Sequence, residues 1–514
     1  MTTKINIDGA ILVGSTATYA SAAFDALAAT TGAPLGPKFS EADGAHVERA
    51  CALADEARDT FAATSPEARA AFLTTIGENI ERLGDALLQR THEETALPMA
   101  RLASERGRTI GQLNMFAAVI REDACFDKRV DPPLPDRQPA ARPELRSVRI
   151  PIGPVAVFGS SNFPFAFSVA GGDTASALAA GCPVIVKGHP AHPGAGEYVA
   201  RAIIDAANKT GMPEGVFSYL PGAQHTLGAA LASDPRIQAI AFTGSQSGGL
   251  ALAAIAAQRS APIPVFAEMG SVNPVILAPH KLERDAEALA LDFVASMTLG
   301  VGQFCTNPGL VIGLRGAALD RFVAAANETL SAVDAGTMLT PSMCSAYENG
   351  IAKLSAHAAC DVVARGKPRT SNSVTQAEAL LLRTNAKHVI DDPSLVREVF
   401  GPCSLIVACE SLGEMRALIA SLEGQLTCSI HLDADDAPAM SELAPLLMRK
   451  AGRILANGWP TGVEVANAMV HGGPFPATTD ARFTSVGAMA IERFLRPICF
   501  QNMPPALLPA LART

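Results

Sequence analysis

Ala239-Ile240-Ala241-Phe242-Thr243-Gly244-Ser245-Gln246-Ser247-Gly248-Gly249 joins a short apolar run to a polar glycine turn, followed by an apolar helical stretch at 250–258. A turn of this kind aims backbone N–H groups and the positive end of a helix dipole at one point, an arrangement that receives a phosphate. The same residues also fit an ordinary strand-to-helix turn. Gly194-Ala195-Gly196-Glu197-Tyr198-Val199 lacks the third glycine of the dinucleotide fingerprint and reads as a helix start.

Outward from this stretch, Val155-Ala156-Val157-Phe158, Val184-Ile185-Val186-Lys187 and Phe217-Ser218-Tyr219-Leu220 are further short β-type runs separated by helical segments. Strands and helices that alternate at this spacing predict an α/β fold with a parallel, doubly wound sheet. A second such series starts near Pro274-Val275-Ile276-Leu277. It continues through a helix at 283–299, Leu310-Val311-Ile312-Gly313, a helix at 317–332 and Cys403-Ser404-Leu405-Ile406-Val407. Ahead of the first series, residues 1–40 read as irregular and strand-like. From Asp43 the pattern is helical, with Val47, Ala50, Leu53, Ala54, Ala57 and Phe61 at three-to-four spacing, and further helices follow at 66–89 and 103–121. Asp131-Pro132-Pro133-Leu134-Pro135-Asp136 breaks the chain, 144–150 alternates like an exposed strand, and 493–502 reads as another strand away from both series.

The 514 residues correspond to about three domains at ~150 residues each. A net charge of −9 argues against an electrostatic binder of nucleic acid or anionic membrane. The uncharged run 150–172 is interrupted by prolines, glycines and Asn162, so no membrane span is predicted, and the N-terminus lacks a secretory apolar region. The ten cysteines form no CxxC pair and read as reduced thiols of a cytoplasmic protein. No metal is expected: the ten histidines show no ligand spacing, and Pro190 and Pro193 break any helix through His189 and His192.

Three segments carry chemistry. Gly302-Gln303-Phe304-Cys305 presents a thiol, Phe266-Ala267-Glu268-Met269-Gly270 a carboxylate after an apolar strand, and Ser160-Ser161-Asn162-Phe163-Pro164 an amide after another. Nucleophile, water activator and oxyanion donor are the parts of acyl chemistry through a thioester. Any one cysteine alone reads as an inert core thiol.

With these three segments together the chain resembles the aldehyde dehydrogenase superfamily, from about residue 40 to the end. The resemblance implies two doubly wound domains plus an oligomerisation arm: a dinucleotide-binding domain from 1–127 and 151–272, a catalytic domain over 273–465 carrying Cys305, and an arm from 128–150 and 490–514. It implies that Cys305 attacks the aldehyde, Asn162 holds the oxyanion and Glu268 activates water. Lys187, Gly244, Ser245 and Gly249 would meet the dinucleotide. Arg397-Glu398-Val399-Phe400-Gly401-Pro402 matches the family's E-x-F-G-P, so Glu398 would meet the nicotinamide ribose and Phe400 the ring. Pro190 stands where many NAD-preferring members have an acid, so the implied cofactor is NADP or NAD, with His225 and Arg201 as the cations considered for a 2′-phosphate.

The C-terminal part departs from the commonest pattern. Asn457-Gly458-Trp459-Pro460-Thr461-Gly462, His471-Gly472-Gly473-Pro474-Phe475-Pro476 and Thr484-Ser485-Val486-Gly487 resemble the subgroup that oxidises 2-oxoglutarate semialdehyde (2,5-dioxopentanoate), and a fatty aldehyde branch shares much of this pattern. The resemblance implies Phe163, Phe167 and Phe475 as tunnel walls and an arginine, Arg108, or several hydroxyls for the distal carboxylate; Arg108 reads equally as a cap or brace at a helix end, and each phenylalanine as core. Rival readings are a fatty or other aliphatic aldehyde dehydrogenase and a non-catalytic binding homologue. Partners would be a small-molecule aldehyde and further copies of the chain in a homodimer or homotetramer, with no nucleic acid and no membrane.

Overall fold

A computed structural model describes residues 6–370 and 374–513. Its first sheet has the order Val265–Glu268, Ala239–Thr243, Val155–Phe158, Val184–Lys187, Phe217–Leu220, Ile11–Val13, Thr16–Thr18. The first five strands are parallel, and Ile11–Val13 adds antiparallel to Phe217–Leu220. The strands are apolar runs because both faces are covered. Val155, Val157, Val184 and Val186 pack into one core, while Ala156, Phe158 and Ile185 pack into another on the opposite face.

The chain runs from Val155–Phe158 outward on one side, then returns to add Ala239–Thr243 on the other. The crevice at such a reversal, beyond the carboxyl ends of the strands, is where open α/β sheets bind ligands. Asn162, Lys187, Ser245 and Glu268 stand at or just past those ends.

The second sheet has the order Asp361–Arg365, Leu380–Asn385, Cys403–Cys409, Leu310–Leu314, Pro274–Leu277, Gln425–His431, Ala451–Ala456. It is parallel except at the Asp361–Arg365 edge, and it too separates two cores: Ile276, Ile312 and Val407 face one, Val275, Val311 and Ile406 the other. The sequence reading missed Leu380–Asn385, Gln425–His431 and Ala451–Ala456. Gln425–His431 escapes an apolar-run criterion because its buried positions include Thr427 and Ser429; Thr427 is accommodated by donating to Asn273 Oδ1 at 2.9 Å.

The predicted helix at 66–89 is two helices, Pro66–Arg82 and Gly84–Thr95, divided at Leu83, and the next runs Met99–Arg121. The break falls at Gly84, whose φ of +56° is a left-handed conformation. Leu145–Pro151 pairs with both Leu495–Gln501 and Arg129–Asp131 in a separate three-stranded sheet. Among the described residues, no helix is long and apolar enough to cross a membrane.

Candidate active site

The chain passes from the first sheet to the second between Glu268 and Pro274, and the cysteine loop lies beside this crossing. Helix Pro279–Thr298 is followed by the turn Leu299–Gly302, in which Gly300, Val301 and Gly302 are left-handed at φ 56°, 59° and 64°. A β-carbon on Gly302 would stand 2.4 Å from the carbonyl carbon of Gly401, so the loop reaches the Glu398–Gly401 turn only with glycine there. Val301 has no such freedom and is held in strained backbone, a feature that concentrates at functional loops. Asn273 fixes the exit, donating from Nδ2 to the carbonyls of Cys305 at 2.8 Å and Asn307 at 2.9 Å.

Asn162 is positioned from both sides of its loop. His192 Nε2 lies 2.9 Å from the Ser160 carbonyl, and Arg101 donates to the Asn162 carbonyl at 2.8 Å. Buried Glu105 accepts from the backbone N–H groups of Phe165 and Ala166 at 2.9 and 3.0 Å. The Asn162 side chain donates one N–H to the Gln303 carbonyl at 3.1 Å, directly ahead of the cysteine. An amide nitrogen carries two hydrogens, so the other remains for a second acceptor. His189 and His192 are thus structural: their rings stack 5.6 Å apart, and burial lowers both pKa values.

Cys305, partly exposed, faces a group the sequence reading did not place. Its Sγ lies 3.4 Å from Nε2 of His471, and that nitrogen lies 2.9 Å from Glu268 Oε1. The hydroxyl of Ser485 donates to the other carboxylate oxygen of Glu268 and also reaches the His471 carbonyl at 3.1 Å. The backbone N–H of His471 donates to Thr484 Oγ1 at 2.8 Å. Burial acts against charge on both members of the pair. For His471 it is outweighed by Glu268 and Cys305, and the imidazole is raised to about 10. For Glu268 it is outweighed by His471 and Ser485, which hold the carboxyl below its ordinary value.

This is not the arrangement of a hydrolase triad, in which the acid grips the far nitrogen of the ring. Here thiol and carboxylate share Nε2, while Nδ1 is buried with no hydrogen-bond partner among the described residues.

An aromatic and cationic cluster lies beside the site, its Phe304 next to Cys305 and its Phe167 ring 6.2 Å from that of His471. Phe163 packs edge-on against Phe304 at 5.3 Å and Phe167 at 5.4 Å, and Val463, Val465 and Met469 lie against this cluster. Arg101 stacks over Phe304 at 4.8 Å and Phe163 at 5.1 Å. Arg108 stacks over Phe167 at 5.4 Å, and its Nε and one terminal nitrogen are buried without a hydrogen-bond partner among the described residues. Burial lowers the Arg108 pKa, and Cys305, Glu464 and Glu268 are among the charges that oppose this. Phe475 does not join this group: its side chain is 62% exposed, because the backbone of 474–475 packs against Gly424 and leaves the ring outside.

On the other side of the crossing, Glu398 accepts from the Ser271 N–H at 3.4 Å and packs against Gly270, and Phe400 lines the same cavity as Phe304. Ser245 caps helix Gln246–Gln258, accepting from the Gly248 N–H at 3.2 Å, and Gly244 and Ser245 are exposed at its start. Gly249 is buried instead, where a β-carbon would come within 2.7 Å of Met269 Sδ; its role is close packing of the helix on the strand end. Burial lowers Lys187 to about 8. Arg201 is already paired with Glu197 and Asp8 at 2.7 and 2.6 Å, whereas His225 is exposed.

A doubly wound sheet pair with a cysteine, a carboxylate and an amide converging at the crossing defines a class, and the family comparison agrees. The sequence profile of the aldehyde dehydrogenase family matches residues 17–477. The chain belongs to that family. It is 52% identical over 510 residues to alpha-ketoglutaric semialdehyde dehydrogenase 2 of Azospirillum brasilense, covering 98% of this chain and 96% of the relative. It is 45% identical over 486 residues to alpha-ketoglutaric semialdehyde dehydrogenase of Acinetobacter baylyi, covering 94% and 92%. A solved 1-pyrroline-5-carboxylate dehydrogenase from Thermus with bound NAD superposes with a TM-score of 0.82 at 19% identity, covering 96% of this chain and 92% of that one, which establishes the shared fold.

Proposed function

We propose that this chain oxidises 2-oxoglutarate semialdehyde to 2-oxoglutarate with NAD or NADP, through a thioester on Cys305. The observation that carries the chemistry is the cluster of Cys305, His471 and Glu268, with His471 Nε2 3.4 Å from the sulfur and 2.9 Å from the carboxylate. The two relatives named for this aldehyde, at 52% and 45% identity, support the substrate.

The thiolate of Cys305, beside the His471 imidazolium, adds to the aldehyde carbon. The free N–H of Asn162 and the Cys305 backbone N–H receive the oxyanion. The bound nicotinamide supplies the hydride acceptor. Once the sulfur is acylated its negative charge is gone, so one of the two partners that hold the His471 proton is lost. Glu268 then takes a proton from water, which attacks the thioester and releases the acid. Ser485 keeps the carboxylate oriented throughout.

Arg108 is assigned to the distal carboxylate, since its unpartnered buried nitrogens face an aromatic cluster that cannot satisfy them. Phe163 and Phe167 form the walls. For the dinucleotide, Gly244 and Ser245 at the helix start fit a phosphate, Lys187 an adenosine ribose, and Glu398 with Phe400 the nicotinamide end. With Arg201 already paired, the exposed imidazole of His225 is the group left to meet a 2′-phosphate. The domains are assigned as 1–127 with 151–272, 273–465, and an arm of 128–150 with 490–514 that assembles a homodimer or homotetramer in the cytoplasm.

Initial rates of nicotinamide reduction with 2-oxoglutarate semialdehyde, succinate semialdehyde and decanal, each with NAD and NADP, test this reading. The oxo acid is expected to give the highest kcat/KM. A preference for decanal would replace it with the fatty aldehyde alternative.

A further inference from the structure

We propose that Cys305, His471 and Glu268 also form a binding site for a thiophilic divalent cation such as zinc, and that its occupancy reversibly blocks the enzyme. One donor atom from each residue lies within 4.8 Å of the others. Around a tetrahedral zinc, a sulfur at ~2.3 Å and a ring nitrogen at ~2.0 Å stand about 3.5 Å apart, and nitrogen and oxygen donors about 3.3 Å apart. The protein already holds sulfur and Nε2 at 3.4 Å and Nε2 and Oε1 at 2.9 Å. Opening of a few tenths of an ångström between imidazole and carboxylate, with the sulfur–carboxylate edge drawn in from at most 4.8 Å toward about 3.6 Å, admits the ion.

The set offers the thiolate, imidazole and carboxylate that zinc prefers, with three protein ligands and a fourth corner left for water. Ser485 holds the second oxygen of Glu268 and so fixes the direction of that ligand, the part that outer hydrogen bonds play around bound metals. Two features weaken the site relative to a closed structural one. Nδ1 of His471 has no hydrogen-bond partner among the described residues, and the guanidinium groups of Arg108 and Arg453 act on Cys305. Zinc binding forms metal–sulfur, metal–nitrogen and metal–oxygen bonds and releases to the buffer whatever proton the sulfur and imidazole hold between them, with no change of oxidation state. A sulfur lone pair bound to zinc cannot attack a carbonyl, so the block rests on Cys305 being the nucleophile; the binding does not.

The test is a cadmium titration of the full-length, chelator-treated enzyme, followed by the ultraviolet thiolate-to-cadmium absorbance, with zinc as competitor and turnover measured in parallel. The expected result is saturation at one cation per chain, loss of turnover in step, and recovery with a chelator. His471→Gln should weaken binding by at least about tenfold, Cys305→Ala should remove the band, and Cys499→Ser, at the exposed thiol, should change nothing. Circular dichroism and the thermal midpoint establish that each variant is folded. A band that survives in Cys305→Ala, or an affinity unchanged in His471→Gln, would overturn the site. A saturating band with undiminished turnover would leave the site standing and overturn both the block and Cys305 as nucleophile.

Discussion

Cys305 and His471 lie 166 residues apart in the chain and meet at 3.4 Å through Sγ and Nε2. The contact exists because Thr484 and Ser485 grip the backbone of His471 on one side while Asn273 fixes the Cys305 carbonyl on the other. A buried imidazolium between a sulfur and a carboxylate holds both groups in place and ties the carboxylate down until the sulfur has reacted.

His471→Gln keeps a polar side chain and removes the charge. Loss of one fixed electrostatic group at a reacting centre costs roughly 10²–10³ in rate, and kcat/KM is expected to fall within that range. The second-order rate of alkylation of Cys305 by iodoacetamide at neutral pH should fall with it. If alkylation keeps its wild-type rate, His471 does not activate the sulfur.

The raised pKa of His471 also makes a stability prediction with a definite sign. A group at 6.5 when unfolded and at about 10 when folded contributes fully below 6.5 and loses that contribution as pH rises toward about 10. The difference in urea midpoint between the wild type and His471→Phe should therefore narrow steadily over that window. A difference that is constant across it would mean the imidazole is neutral in the folded protein.

Ser485→Ala removes a hydroxyl that favours ionised Glu268. The Glu268 pKa is then expected to rise, so the acid limb of the kcat profile should move to higher pH, with kcat on the alkaline side less affected. The carboxylate's own stabilising contribution, present above 4.5 and lost as pH falls through its lowered folded value, should shrink in the same variant. An acid limb that stays in place would assign it to another group.

The two sheets were legible from apolar runs because parallel strands buried on both faces must be apolar, as in Val155–Phe158 and Pro274–Leu277. Gln425–His431 was not, since its buried run includes Gln425 and Thr427, whose side chains bond to Ser271 and Asn273, partners distant in sequence. Cys305, Glu268 and Asn162 could be read because each follows or precedes a recognisable strand and turn. His471 could not be placed that way. It lies in irregular chain, and the only signal was that His471-Gly472-Gly473 and Thr484-Ser485 stood in an unusual C-terminal segment; its meaning depends on a hydrogen bond to Thr484 that spacing does not reveal. Phe475, an aromatic in that same segment, shows the limit of reading by position, since packing leaves it exposed and apart from the aromatic cluster.

Arg108→Gln separates the two substrate readings. A charged hydrogen bond to a carboxylate contributes about 1.5–3 kcal/mol, which corresponds to a KM for the oxo-acid aldehyde raised by roughly 10- to 100-fold. An alkanal without the distal carboxylate should show no comparable change. Equal losses on both substrates would make Arg108 a brace for Phe167 and nothing more.

Gly302→Ala tests whether the cysteine loop is held by the Glu398–Gly401 turn. At φ 64° an alanine pays the left-handed penalty of roughly 1–2 kcal/mol. Its β-carbon would also stand 2.4 Å from the carbonyl carbon and oxygen of Gly401. The obstacle is backbone and cannot rotate away, so one loop must move, and either movement separates Cys305 from His471 or Glu398 from Gly270. The expected outcome is a lowered thermal midpoint with a loss of kcat disproportionate to it, because displacement of reacting groups by about 1 Å costs on the order of 10²-fold. Ala at the exposed Gly413, where a β-carbon meets only Ser411 Oγ at 3.6 Å, is the matched control and should leave kcat intact. If Gly302→Ala turns over at the wild-type rate, the loop is positioned from the Asn273 side alone, and the approach of Gly401 is a packing contact without consequence for the chemistry.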